Sequence, residues 1–240
     1  GILRIKDYSP EISAPTSFEY MTAGNSTLTD NTVYCFAPGS LNKLWIGTEN
    51  GINYYSYKEK RLKELPVTAD GKKVKYVHSM NDTTLWIATV GEGIVKVILK
   101  DPAVSPIIKS ADRIVLDEGR MASNYFFTSF QENDSILWFG NRGYGAYHLN
   151  AKTGKLTSHK FDDIVNSQTA NDIFVIHKNA KGYWLGTSSG LLHFTPNDTH
   201  YHNRASLISN NTVHGILEDL QDNLWISTNQ GLVRFNPETN

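Results

Sequence analysis

Five copies of one short pattern, a glycine turn at a near-constant distance behind each, and no sustained helical periodicity predict an all-β fold, a β-propeller of four-stranded blades. The copies are LWIGTENGINYY, LWIATVGEGIVKV, LWFGNRGYGAYHL, YWLGTSSGLLHF and LWISTNQGLVRF. All five tryptophans of the 240 residues lie inside them, at positions 45, 86, 138, 184 and 225. The intervals between them are 41, 52, 46 and 41 residues, a period that signals a propeller or solenoid.

The elements follow in order along the repeat. An innermost strand is read from NTVYCFA at 31–37, NYFFTSF at 124–130, NDIFVIH at 171–177 and NTVHGIL at 211–217. Each opens on Asn and continues with β-branched or aromatic residues. Turn formers come next: NDTT, ENDS, NAKG and LQDN. The Trp strand is apolar without alternation, as a strand covered on both faces should be. One Trp per blade, burying on the order of 150–250 Å², fills the wedge between neighbouring sheets. The small residue two positions on (Gly47, Ala88, Gly140, Gly186, Ser227) lets the next sheet approach. A hairpin glycine follows at Gly51, Gly93, Gly145, Gly190 and Gly231, and after it an alternating third strand such as Leu232-Val233-Arg234-Phe235. A weaker fourth strand is read from RLKELP, GKLTSHKF and THYHN. The 107–123 segment lacks i, i+3, i+4 spacing; it is read as a loop with one edge strand, which accounts for the 52-residue interval.

These marks divide the chain into repeats at about 1–28 (partial), 29–69, 70–120, 121–167, 168–207 and 208–240. GILRI at 1–5 aligns with GLVRF at 231–235, so the chain begins on a third strand and stops just after another. The count reaches twenty-one strands, one more than five closed blades need. The expectation is a partial ring of about five blades within one domain, cut from a larger propeller of the seven-bladed type.

Composition excludes several classes. The formal charge is −1, with no Lys/Arg run longer than Lys72-Lys73, so no field attracts nucleic acid. Cys35 is the one cysteine, and no intrachain disulfide can form. No stretch has the length of a membrane-spanning helix, and no signal segment opens the chain.

Candidate chemistry is sparse. His200-Tyr201-His202 would put two imidazoles on one strand face, but no third ligand is signalled and no metal or cofactor is expected. Cys35, beside Phe36 on an inner strand, reads as a small buried hydrophobe. Asp117-Glu118 and Asp162-Asp163 are adjacent acids whose side chains would diverge on a strand. Gly91-Glu92-Gly93 and Gly143-Tyr144-Gly145 lack the helix of a phosphate loop and read as hairpin turns. Binding fares better. Propeller ligands meet the loops at one end of the inner strands. There the turns after the Trp strand bring Glu49, Asn50, Glu92, Asn141, Arg142, Tyr144, Ser188, Ser189, Asn229 and Gln230. The approaches to the inner strand add Asp30, Asn124, Tyr125, Asn171 and Asn210. Aromatic faces, amides and charges suit sugar rings and hydroxyls. Asn, Gly and Ser need be no more than turn residues, whereas Arg142 and Tyr144 are required by no turn. Of these, Glu49, Asn50, Glu92, Asn124, Tyr125, Arg142, Tyr144 and Asn229 are the predicted ligand residues. The five tryptophans and five hairpin glycines are structural.

NNTVHGILEDLQDNLWISTNQGLVRFNPET at 210–239 resembles, almost throughout, the two-component regulator propeller repeat: N-x-V, a turn, L-W-I-G-T, G-L and an aromatic strand ending near N-P. The other copies match over the Trp–Gly core, departing at Asn141 for Thr and Ala146 for Leu. The resemblance implies the periplasmic sensor region of a membrane-spanning hybrid histidine kinase of Bacteroidetes type. It further implies detection of oligosaccharides to control polysaccharide use, with no catalysis by the propeller and a kinase elsewhere in the full protein. The expected partners are an oligosaccharide, further blades and downstream domains of the same protein, with a homodimer left open. A propeller scaffold for protein–protein contact is the alternative.

Overall fold

The computed structural model describes residues 1–6, 17–40, 42–66, 72–103, 105–116, 124–161, 168–195, 198–202 and 212–238. Among these, twenty-one strands and one 3-10 turn, Gln168–Asn171, account for the regular structure. The expected strand count is met. The chain groups into two compact units, one of residues 1–90 and 94–114, the other of residues 91–93 and 115–240.

In the first unit, β1 (Ile2–Lys6) and β2 (Ser17–Met21) form an antiparallel ribbon. β3 (Val33–Gly39), β4 (Lys43–Thr48), β5 (Gly51–Ser56) and β6 (Arg61–Leu65) form a meander, and β7 (Val74–Asn81), β8 (Thr84–Thr89), β9 (Ile94–Lys100) and β10 (Ile107–Ile114) form another. The second unit holds a meander of β11 (Phe126–Gln131), β12 (Ile136–Asn141), β13 (Ala146–Asn150) and β14 (Leu156–His159). It continues with β15 (Ile173–Asn179), β16 (Gly182–Thr187), β17 (Leu191–Thr195) and β18 (Asp198–His202). It ends with a three-stranded sheet of β19 (Val213–Glu218), β20 (Leu224–Thr228) and β21 (Gly231–Phe235).

Sequence reading placed β3, β11, β15 and β19 from their leading Asn. It passed over β7, the inner strand of its own repeat, because Lys72 stands where the others carry Asn. The 107–123 segment does contribute an edge strand, β10, paired to β9 through a bulge at Lys109.

Within each unit, consecutive sheets meet through their first two strands. The close approach depends on the residue two positions after the Trp. A Cβ added at Gly47 would lie 2.7 Å from the Val74 carbonyl oxygen; at Gly140, 2.5 Å from that of Ile173; at Gly186, 2.6 Å from Val213 Cγ1. Real side chains do not sit so near backbone, so the absence of a side chain sets the spacing of the sheets.

The Trp rings fill the wedge that this spacing leaves. Trp45, Trp86, Trp138 and Trp184 are buried. Trp138 packs on Tyr183 of the following sheet (centroids 4.6 Å apart) and Trp184 on Phe235 (5.7 Å). Trp225 is only half-buried, against the expectation that all five fill a wedge alike. Its face of the β19–β21 sheet forms an open hollow of about 600 Å³ with Ile216, Leu217 and Leu232. On the β1–β2 ribbon, Leu3, Phe18 and Tyr20 are likewise exposed.

Three of the indole N–H groups are satisfied from the residues preceding the Trp strand. Trp138 Nε1 donates to Glu132 (2.7 Å), Trp184 Nε1 to Asn179 (3.2 Å) and Trp225 Nε1 to Asp219 (2.9 Å). The turn formers noted in the sequence thus supply the acceptors that a buried indole requires. Glu132 also takes Lys178 Nζ (2.5 Å) and the Tyr183 hydroxyl (2.7 Å). Burial alone would raise the Glu132 carboxyl, but these donors hold it below its ordinary value. At Asp219 the same contest, won by hydrogen bonds from Asn223, Trp225 and Gln221, brings the carboxyl down to about 2.

Gly140→Ala should therefore destabilise the chain by about 1–3 kcal/mol in urea melts, the range for overpacking. Trp138→Ala should cost about 3–5 kcal/mol, and Trp225→Ala distinctly less. A neutral Gly140→Ala would show that the sheets are not in contact there.

Candidate functional site

Within each unit the ends of the inner strands and the turns after the Trp strands come together at a rim, by a device the Asn residues supply. The Asn124 carbonyl accepts the Gly91 and Gly93 N–H groups (3.1 and 3.2 Å), and its side-chain oxygen accepts the Leu116 N–H (2.8 Å). Asn171 does the same for Gly143 and Gly145 (3.1 and 2.9 Å) and for Phe161 (2.9 Å). Asn31 takes the Gly1 amine on its carbonyl and the Ala23 N–H on its side chain (2.9 Å). Asn124 and Asn171 thus clasp hairpin glycines with the backbone and the end of an outer strand with the amide. Lys72 retains only the backbone half, its carbonyl accepting the Gly51 N–H at 2.9 Å.

A second device aims side chains at the rim. Every inner strand of a sheet beyond the ribbon slips register against its Trp strand at the same repeat position. The residues skipped by the pairing are Tyr34, Lys75, Phe127, Phe174 and His214. A bulge of this kind re-aims one side chain and is common beside binding sites. In the first unit, Lys75 Nζ lies 3.3 Å from the Tyr34 ring centroid. In the second, Phe127 and Phe174 are 5.3 Å apart, and Phe174 and His214 5.8 Å.

The position four residues after each Trp faces these bulges: Glu49, Val90, Arg142, Ser188 and Asn229. Glu49 is held by the Tyr34 hydroxyl and by Lys73 Nζ. Those contacts, Lys73 first, lower the Glu49 carboxyl, and the hydrogen bond to Glu49 pushes the Tyr34 phenol up to about 12. Ser188 donates to Asp172 (2.9 Å), and His214 Nε2 lies 2.6 Å from Asn229 Oδ1. Arg142 is exposed, and its backbone N–H donates to the Tyr125 carbonyl at 2.9 Å.

The other predicted residues divide between rim and frame. Asn50 is exposed and lines an internal cavity of about 40 Å³, room for a water and not for a sugar. Glu92 is half-buried between Gly91 and Gly93, and Tyr125 is half-buried beside Asn124. Asn124 itself is buried and engaged in its clasp, which makes it frame. Gly143 and Gly145 adopt φ of +79° and +82°, as a sharp turn requires. Tyr144 between them is not turned fully outward as expected; it is half-buried, with Lys160 Nζ 5.9 Å from its ring. Asn210 and the pairs Asp117-Glu118 and Asp162-Asp163 lie outside the described residues.

Among the described residues, no three His, Cys, Asp or Glu side chains converge on a point that could hold a metal. Burial pushes the Cys35 thiol up to about 11, so it stays protonated against Gly47. The closest imidazoles, His148 and His159, lie 2.9 Å apart and pack on Trp138, where burial and the paired ring lower the His159 pKa.

If the clasp holds the rim together, Asn171→Ala leaves the buried Phe161 N–H without its acceptor. It should cost about 1–3 kcal/mol in equilibrium unfolding, whereas a loss below about 0.5 kcal/mol would place Asn171 among dispensable turn residues.

Comparison with known proteins agrees with this geometry. Residues 27–50 match the family described as two component regulator propeller. The extracellular domain assigned to a hybrid two-component system of B. thetaiotaomicron superposes with a TM-score of 0.67 at 19% identity, over 92% of this chain and 29% of that one. That of a one-component system from the same organism gives 0.65 at 18%, over 85% and 27%. Histidine kinase P4 of Formosa agariphila is 28% identical over 49% of this chain and 12% of its own length. The chain thus spans under a third of the length of these relatives. The fold is that of a β-propeller, and residues 27–50 are similar to the two component regulator propeller repeat.

Proposed function

We propose that the chain is an extracytoplasmic sensing propeller of a two-component signalling protein, and that its rim detects oligosaccharides. The observation that carries the reading is the position four residues after each Trp. The frame around it recurs from repeat to repeat, yet the residue is Glu49, Val90, Arg142, Ser188 and Asn229 in turn. Architecture would ask for the same side chain each time. Within either unit, a surface that meets an asymmetric ligand asks for different ones. Amides, hydroxyls, a carboxylate and a guanidinium beside half-buried aromatic rings suit the mixed polar and apolar faces of sugars.

The likeness to extracellular domains of two-component sensors supports the location, and no helix among the described residues is long and apolar enough to cross a membrane. Signal output, through a kinase elsewhere in the full protein, belongs to the same proposal. So do further repeats covering the Trp225 face, since the following sheets cover Trp138 and Trp184. A scaffold role finds its support in the exposed Leu217, Leu232, Phe18 and Tyr20, away from the rim.

Calorimetry with neutral and acidic hexasaccharides tests the reading. Arg142→Ala with Tyr144→Ala should weaken binding tenfold or more, about 1.4 kcal/mol. Stability should stay within about 1 kcal/mol, because exposed and half-buried loop changes seldom cost more. Unchanged affinity would remove this turn from the ligand surface, and an absence of binding by every hexasaccharide would overturn the oligosaccharide reading.

A further inference from the structure

We propose that Phe127, Phe174 and His214 form a stacking platform for the apolar face of a neutral sugar ring. The inference rests on the oligosaccharide reading above and names where, and by what chemistry, one unit of the chain would be held.

Three consecutive inner strands of the second unit each carry a ring at the bulged position. The rings follow one another at 5.3 and 5.8 Å between centroids, tilted by 42° and 34°. A filler ring in a propeller core is buried, as Phe126 and Phe139 are at 0% exposure. Phe127 and Phe174 are instead half-buried, and His214 is exposed. The bulge gives up regular pairing at the same place in each strand, and the gain is a row of large rings presented side by side. The residue before each ring (Phe126, Ile173, Val213) is buried at 0% exposure and anchors the strand. The row is therefore rigidly backed.

The groups around the row select the ligand. Asp172 and Ser188 are hydrogen-bonded at 2.9 Å, Thr212 donates to the Ser188 carbonyl at 3.3 Å, and Asn229 meets His214 at 2.6 Å. Around Phe174 and His214 these are hydroxyls, an amide and a carboxylate, while the corresponding position on the Phe127 sheet is the exposed Arg142. A phosphorylated or acidic group seated over Phe174 and His214 would place its charge against Asp172. A neutral pyranose offers C–H groups of positive polarity to the negative faces of the rings and hydroxyls to the rim. The first unit differs: its bulged residues are Tyr34 and Lys75, with Lys73 and Glu49 beside them. The neutral platform belongs to the second unit alone.

Cellohexaose, maltohexaose and hexagalacturonate serve as probes, with calorimetry on the whole chain and NMR of its 13C-labelled Phe rings. Phe174→Leu keeps an apolar side chain of similar volume and removes the π-face; Phe174→Trp enlarges the face. We expect a neutral hexasaccharide to shift the Phe127 and Phe174 resonances, to bind at least tenfold more weakly to Phe174→Leu, and to regain affinity with Phe174→Trp. Full affinity for Phe174→Leu would overturn the platform while leaving the oligosaccharide reading in place. Binding of hexagalacturonate alone would do the same. If none of the three binds, the oligosaccharide reading falls and takes the platform with it. Should Phe174→Leu fail to fold, the ring resonances of the unsubstituted chain decide: neutral binding without their movement overturns the platform.

Discussion

The small residue two positions after the Trp, a glycine in three of the five repeats, is the constraint on which the other contacts depend. At Gly140 the Ile173 carbonyl stands 2.5 Å from where a Cβ would be, and Gly47 and Gly186 repeat the situation against Val74 and Val213. This brings the inner strand of one sheet onto the Trp strand of the one before. At that distance an indole closes the remaining wedge, and the carbonyl of Lys72 or Asn171 reaches the glycine N–H groups of the neighbouring hairpin. Sheet spacing, Trp packing and the Asn clasp follow from one small residue.

The same spacing separates frame from surface. Trp, glycine and Asn are committed to holding sheets together, with indole N–H groups taken by Glu132, Asn179 and Asp219. What is left to vary lies at the rim: the bulged residue of the inner strand and the residue four beyond the Trp. Both are backed by buried strand and clasped turns, so their rings and polar groups are held before any ligand arrives. Preorganisation of this kind lowers the entropy lost on binding. In the first unit the rim is a linked set of charges, Glu49 with Lys73 and Tyr34. In the second it is a row of rings with hydroxyls, amides, Asp172 and Arg142.

Much of the frame was legible in the sequence because it is local. Period-two alternation, the Trp and the hairpin glycine each mark a strand or turn by themselves. The innermost strand of the second full repeat escaped because Lys72 took the place of the marker Asn, although its backbone still receives Gly51. The rim was legible in part. Glu49, Arg142 and Asn229 share a repeat position, four beyond the Trp. Asn124 was grouped with them because an amide that binds ligand and one that clasps a chain look the same in sequence. Tyr34, Phe127, Phe174 and His214 were not seen as a set. A bulge is a relation of register between two strands, and no single strand displays it. The half-exposure of Trp225 depends, in the same way, on which sheet lies against it.

The central claim is that ligand meets the rim of inner strands and Trp-strand turns, and hydrogen exchange on the whole chain tests it most directly. Exchange is followed by mass spectrometry with and without a neutral hexasaccharide at saturating concentration. The account predicts slowed exchange in residues 171–175, 187–190 and 212–215, with the edge strands Ile107–Ile114 and Leu156–His159 unchanged. Protection confined to those edge strands, with the rim unaffected, would contradict it.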